Sequence, residues 1–392
     1  MNIIYLGSFR LPNLDAAAPR VLNVAKALRE SGHTVSFISW GGIYRESDLC
    51  QDGKYRVDGF EYIITNELDA TGFIAKVKSK LTRGNKTKAL LRQRVTETDA
   101  IITYNGKLSS WLLSFTLKHH IKLINDITEW FLYSELKITD CLPYACDMYI
   151  IQKKIKNKIV ISDYLNRFYT DTHNIVIPAT VDLTEMKWHD QKNISIVQRQ
   201  LGSFDGITLI YAGDPSRKDL LHYAINVVQR LNDEKKHIRF IIVGTTREQY
   251  LAQNGDLLHN PDLHKNICFV GRVAQEMIPA YYAISDYMVL LRKPNRKSNA
   301  GFPTKFSESI AAGTPVIANI TSDLGRYLKD GVTGFVVENP SEEALYDTLT
   351  QKVLVTDKAK GEIIRNNVNN LSASLDYHTY IEPLGDFMRE LK

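Results

Sequence analysis

The stretch AGFPTKFSESIAAGTPVIAN, Ala300 to Asn319, sets a lysine and a glutamate three residues apart, directly after a Gly-Phe-Pro turn and ahead of an apolar run. On a helix that spacing puts Lys305 and Glu308 on one face, a turn apart. A cation in the first turn of a helix opposes the helix dipole unless an anion is bound there. A carboxylate beside that anion needs neutral donors, and ribose hydroxyls would supply them. The pair reads either as two halves of a nucleotide site or as an intrahelical ion pair worth roughly 0.2–0.5 kcal/mol.

Further connections of the same kind surround it. YAGDPSRKDL follows an apolar strand with a Gly-Asp-Pro turn and then Arg217 and Lys218 at a helix start. FVGRVAQEM places Gly271, Arg272 and Val273 after another strand, where a tight glycine turn admits a flat ligand such as a base. LLRKPNRKSNAGFPTKF crowds Arg292, Lys293, Arg296, Lys297 and Lys305 around a turn shaped by Gly301 and Pro303. Bases and helix N-termini in such loops hold a diphosphate. The plainer alternative is a set of solvated surface cations.

The elements that must position these loops alternate. Ile3 to Leu6, a helix around Val21 to Leu28, and Thr34 to Ser39 form a βαβ unit, and apolar strands at 62–65, 100–103, 122–125, 158–161 and 174–177 continue the rhythm. It restarts with strands at 208–212, 239–243, 267–270, 287–291, 315–318 and 334–337. Such βα alternation gives parallel, doubly wound sheets. The expected domains are 1–185, 186–372 and a C-terminal helix in 373–392 that returns to the first domain, with an irregular linker around 180–204. The dinucleotide fingerprint G-x-G-x-x-G and the phosphate loop ending in Gly-Lys-Ser/Thr are both absent.

Of 392 residues, 44% are hydrophobic and 24% charged, which excludes a disordered chain. The four cysteines fit no zinc or redox spacing, no run of about 18 apolar residues occurs, and the opening MNIIYLGSFRLPN reads as a strand. A cytoplasmic protein is expected. Net charge is +5, and the basic stretch 76–94 holds no acid, so it reads either as a peripheral contact with an anionic membrane or as a solvated face. It lacks the stacking aromatics of a nucleic-acid binder.

The segment Leu290 to Val337, with NAGFPTKFSESIAAGTPVIAN and DGVTGFVV, resembles the donor site of GT-B glycosyltransferases of the retaining family numbered four, glycosyl transferases group 1, in its bacterial surface-polysaccharide form. The restart at Tyr211, the Gly-Arg-Val turn and PATVD at Pro178 to Asp182 are similar landmarks. The resemblance implies an α/β fold of two Rossmann-like doubly wound parallel-sheet domains facing across a cleft. It also implies transfer of a sugar from a nucleotide-sugar to a saccharide or lipid-linked acceptor hydroxyl, on the face the leaving group departs. No D-x-D metal motif appears in a convincing loop, so no metal or other cofactor is expected.

By the same resemblance Glu308 holds ribose hydroxyls, and Arg217, Lys218, Arg292 and Lys305 hold phosphate. Arg272 and Val273 line the donor, while Asn299, Gly301, Phe302 and Pro303 lie near the sugar. Ala17, Ala18 and Arg20 stand where the family has a Gly-Gly loop beside the acceptor. Asp126, in INDITEW, either faces the reacting sugar or caps a helix. The catalytic set is then Asp126, Lys218 and Glu308. The chain departs from the family at Ala300, where a first glutamate is usual, and at Asp214, where an arginine is usual. A sugar-nucleotide epimerase or hydrolase and a non-catalytic nucleotide-sugar binder are the alternative functions.

Overall fold

The computed structural model describes residues 1–67, 82, 84–215 and 219–392. It divides into two compact units, Met1–Thr180 with Tyr377–Lys392, and Val181–Asp376.

In the first unit the strands are β1 (Asn2–Leu11), β2 (Thr34–Gly42), β3 (Arg56–Val57), β4 (Phe60–Ile64), β5 (Ala100–Tyr104), β6 (Lys122–Ile127), β7 (Asn157–Val160) and β8 (His173–Val176). They form one sheet in the order β3-β4-β2-β1-β5-β6-β7-β8, parallel except for the β3–β4 hairpin. β1 is apolar on both faces because helices cover both. Ile3, Tyr5, Phe9 and Leu11 enter one core, and Ile4 and Leu6 enter the other. The C-terminal helix Ile381–Arg389 completes the first core with Leu384, Phe387 and Met388.

In the second unit β9 (Ile207–Ala212), β10 (Ile238–Val243), β11 (Ile267–Gly271), β12 (Tyr287–Leu290), β13 (Val316–Ala318) and β14 (Gly334–Val336) form a wholly parallel sheet in the order β11-β10-β9-β12-β13-β14. Both orders reverse direction beside the first strand of the unit, at β1/β5 and at β9/β12, and ligands of open α/β sheets collect outside the carboxyl ends at such points.

Two sequence expectations are corrected. The supposed linker is ordered: Gln191–Leu201 is a helix whose N-terminus is capped by Asp190, which accepts from the Lys192 and Asn193 amides. Val197 on it and Trp188 before it are buried. Its apolar stripe is narrow and its remaining face polar, so composition hid it. The β3 edge strand was also unseen, although the Asp58-Gly59 turn joining it to β4 has positive φ at both residues, 50° and 83°, the turn chemistry of a tight hairpin.

No helix among the described residues is long and apolar enough to cross a membrane. All four cysteines are free thiols.

One core residue is out of character. Lys158 in β7 is fully buried, and its ammonium donates to the Ile155 carbonyl and lies 4.8 Å from the Tyr169 ring centroid. Burial first, and then Lys156, lower its pKa to about 7. The folded state therefore binds this proton less tightly than the unfolded chain does, and its contribution to stability grows as pH rises from about 7 toward the ordinary lysine value. We expect Lys158→Met to flatten that rise in urea midpoints between pH 7 and pH 10, and an unchanged slope would contradict it.

Candidate functional site

The second sheet builds its site at the reversal between β9 and β12. β9 ends at Ala212 and turns through Gly213, whose φ of 125° suits glycine. A side chain there would collide with Lys305, whose Cε would lie 2.5 Å from the added Cβ. Glycine thus lets the lysine lie flat across the strand end.

Around that crossing sits a buried carboxylate. Asp219 accepts from Arg292 Nε at 3.0 Å, from Lys305 Nζ at 3.2 Å and from the Tyr211 hydroxyl at 2.7 Å. The side chains of Asp219 and Arg292 are 1% and 4% exposed, so neither charge is solvated and each depends on the other. Burial, then the Asp219 charge, raise the pKa of Tyr211 well above its ordinary value, so the phenol stays a donor. Arg292 is fixed through its backbone as well, because Asn319 accepts from its amide at 2.8 Å and donates to its carbonyl at 2.9 Å. Two cations facing one carboxylate leave the cluster net positive, as an anion site requires.

The helix Thr304–Ala311 begins at this cluster. It follows Pro303 with no side-chain cap and no acid in its first turn; the Phe306 amide donates to the Pro303 carbonyl at 3.0 Å, which leaves the Thr304 and Lys305 amides to face an anion. Phe302 is buried edge-on to Phe306 and Tyr327, which pins the Gly301-Phe302-Pro303 turn. Glu308, one turn into the helix, is half-buried and makes no hydrogen bond or ion pair among the described residues. Burial raises its carboxyl pKa above the usual range, while Lys305 and Lys187 pull it back. The intrahelical ion pair is therefore not formed, and Lys305 turns to Asp219 instead.

The remaining donor residues are placed as follows. Asn299 is half-buried and accepts from the Ser322 amide at 3.2 Å. Arg272 is exposed beyond β11, with Val273 half-buried beside it. Arg217 and Lys218 lie outside the described residues. Ala300 is completely buried, and the nearby hydroxyls of Ser298, Thr321 and Ser322 are buried with no hydrogen-bond partner. Asp219 itself was missed by sequence reasoning, because nothing in the sequence signals a pairing with Arg292.

In the first unit the sequence candidates are revised. Asp126 is fully buried, and its carboxylate accepts from Arg20 Nη2 at 2.9 Å, from Arg20 Nε at 3.3 Å and from the Tyr5 hydroxyl. Arg20 spends its other donors on the carbonyls of Ile177 and Pro178. The pair is a closed structural clasp, not an open acid and a loop base. Ala18 is buried in the core, and Asp15 accepts from the Ala17 and Ala18 amides, so this loop is a capped helix start. The open carboxylate at the end of β6 is Glu129, exposed and without a hydrogen bond or ion pair among the described residues.

Asp126→Asn should cost about 3–5 kcal/mol in urea unfolding, the cost of stranding a buried guanidinium. Unaltered stability with lost turnover would restore the catalytic assignment of Asp126. Asp219→Asn should likewise lower the melting temperature, and inorganic pyrophosphate should recover more of that loss than it adds to the parent protein, because an anion replaces the missing charge. Equal gains in both proteins would contradict the anion-site reading.

Residues 196–369 match the model of the family Glycosyl transferases group 1. The GDP-mannose-dependent alpha-(1-6)-phosphatidylinositol monomannoside mannosyltransferase of Mycobacterium tuberculosis is 29% identical over 147 residues, 36% of this chain and 37% of that protein. The alpha-monoglucosyldiacylglycerol synthase of Streptococcus pneumoniae is 20% identical over 217 residues, 55% of this chain and 47% of that protein. The chain thus matches less than half the length of these curated relatives. Among solved structures, sucrose-phosphate synthase from Thermosynechococcus elongatus superposes with a TM-score of 0.75 at 16% identity, covering 100% of this chain and 99% of that one. Anabaena Alr3699/HepE in complex with UDP superposes with a TM-score of 0.73 at 16% identity, covering 100% of each chain. Residues 196–369 of the second unit thus resemble the glycosyl transferases group 1 family, and the whole chain has the GT-B fold of these solved structures.

Proposed function

We propose that the protein is a retaining glycosyltransferase that moves a sugar from a nucleotide-sugar to a hydroxyl acceptor, a saccharide or lipid-linked saccharide of bacterial surface-glycan assembly. The observation that carries this reading is the unpaired Glu308 carboxylate one turn from Lys305, at the carboxyl edge of the second sheet where its strand order reverses. Lys305, Arg292 and the helix amides suit a diphosphate, and Glu308 suits ribose hydroxyls. Structures similar in fold hold UDP and UDP-glucose. The curated relatives are named for a phosphatidylinositol mannoside and a diacylglycerol acceptor.

In this reading Lys305 and the helix N-terminus stabilise the charge that develops on the leaving diphosphate as the glycosidic bond breaks. The residues present offer phosphate enough positive charge that no resident metal is needed. Complete burial of Ala300, where the family has a carboxylate, keeps a non-catalytic nucleotide-sugar binder as the second reading.

A thermal-shift panel of UDP-, GDP-, ADP- and CMP-sugars identifies the donor, because a ligand of the native state raises its stability. Glu308→Gln should then weaken binding about tenfold to a hundredfold, the loss of charge-assisted hydrogen bonds to hydroxyls, while inorganic pyrophosphate binding stays near the parent value. Donor affinity that ignores this substitution would refute the ribose assignment. Transfer by the isolated chain, with the anomeric configuration of the product retained by NMR and turnover surviving EDTA, completes the test. Hydrolysis or epimerisation of donor without acceptor would favour the alternative enzymes, and absence of any turnover the binder.

A further inference from the structure

The crossover between β6 and β7 carries a surface that the donor chemistry does not use. Ile138–Cys146, Asp147–Ile151 and Gln152–Lys154 run on as one helical segment of about 25 Å at 1.5 Å per residue. A crossover helix in a parallel sheet ordinarily buries an apolar stripe against that sheet. Here the first section, Ile138–Cys146, buries none of its residues, and Met148 and Gln152 further along are covered.

The helix is attached by the opposite side. Tyr144 accepts from the Phe131 amide at 2.9 Å and packs edge-on to the rings of Phe131 and Tyr133. Ile138 and Leu142, an i, i+4 pair about half a turn around from Tyr144, project outward and are 93% and 72% exposed. Ile150 and Tyr149 extend the exposed apolar face at 52% and 39%. Several exposed large apolar side chains along one helical segment suit a docking surface.

Its charge identifies the occupant. Lys137 precedes the helix, and Lys153, Lys154 and Lys156 follow the apolar face, all exposed, with the Lys153 ammonium also 5.1 Å from the Phe168 ring centroid. The acids of the segment are engaged by the protein itself: Glu135 accepts from the Leu132 amide, Asp140 from Thr139, and Asp147 from Gln152. Long lysine stems carry their charge past an apolar face to a headgroup layer, and tyrosines suit the boundary between the two.

The basic stretch first suspected of this role has, where described, two of its cations bonded within the protein and two against a ring. Lys86 donates to the Thr65 carbonyl, Lys88 and Arg92 lie over the Trp111 ring, and Arg94 pairs with Glu61. Residues 68–81 and 83 lie outside the described part.

We propose that the outward face of the segment Ile138–Lys156 inserts Ile138 and Leu142 into an anionic lipid surface while Lys153, Lys154 and Lys156 contact its headgroups. The proposal stands on this surface alone and survives or fails independently of the transferase reading.

The full chain should float with vesicles of phosphatidylcholine and phosphatidylglycerol, and far less with phosphatidylcholine alone or in high salt. Ile138→Ser with Leu142→Ser should reduce partitioning more than tenfold. The charge variant Lys153→Gln, Lys154→Gln, Lys156→Gln should reduce it by about fivefold for each lysine that faces the bilayer. Both variants should keep the parent melting temperature, since the residues they change are exposed. Failure of the parent to bind anionic vesicles, or equal binding by both variants, overturns the proposal. So does a parent dimer in sedimentation velocity that Ile138→Ser with Leu142→Ser dissolves, which would assign the face to a second copy of the chain.

Discussion

Each sheet is organised by a buried aspartate that a tyrosine and an arginine enclose at its point of strand reversal. In the first unit Tyr5 of β1 and Arg20 enclose Asp126. In the second, Tyr211 of β9 and Arg292 enclose Asp219. Charges this deep add little net stability, since desolvation offsets most of their attraction, yet leaving either one alone is costly. They act as registers: the strand ends must lie where the partners meet, or the charge is stranded. The carboxyl edge on which a ligand would rest is thereby fixed from below.

The two clasps differ in one cation. Arg20 spends its remaining donors on the Ile177 and Pro178 carbonyls, which closes the first cluster. Lys305 joins the second through a side chain that is 15% exposed, so positive charge reaches the surface there. The glycine at 213 is what admits it, because any side chain would displace the lysine stem. One unit thus uses the device for architecture alone. The other uses it to hold a cation at the mouth of a helix that has no side-chain cap.

How much of this the sequence disclosed depended on chain distance. Strands read well because their residues are apolar on both faces over short runs, and the helix after Pro303 read well because a three-residue spacing is local. Lys305 and Glu308 were found together for that reason. Arg20 and Asp126 were both noticed and both misread, since they are 106 positions apart and each looked like an open polar group. Asp219 passed unnoticed beside the more conspicuous Arg217 and Lys218. The helix Gln191–Leu201 was hidden by its polar face, although Asp190 before it and Gly202 after it are ordinary cap residues.

The replacement at 300 bears on the same charge balance. A carboxylate there would stand in the short helix ahead of Lys305 and add a second acid beside Glu308, bringing a cluster that is now net positive toward neutrality. Alanine removes it, and among the described residues the hydroxyls of Ser298, Thr321 and Ser322 are buried without a hydrogen-bond partner. Ser322 has φ of 54° and is held in that conformation by Asn299, so the hydroxyls are presented by a backbone that is itself constrained. Neutral hydroxyls both donate and accept where a carboxylate can only accept. Glu308 is then the one carboxylate of the helix Thr304–Ala311, beside a cluster that carries net positive charge.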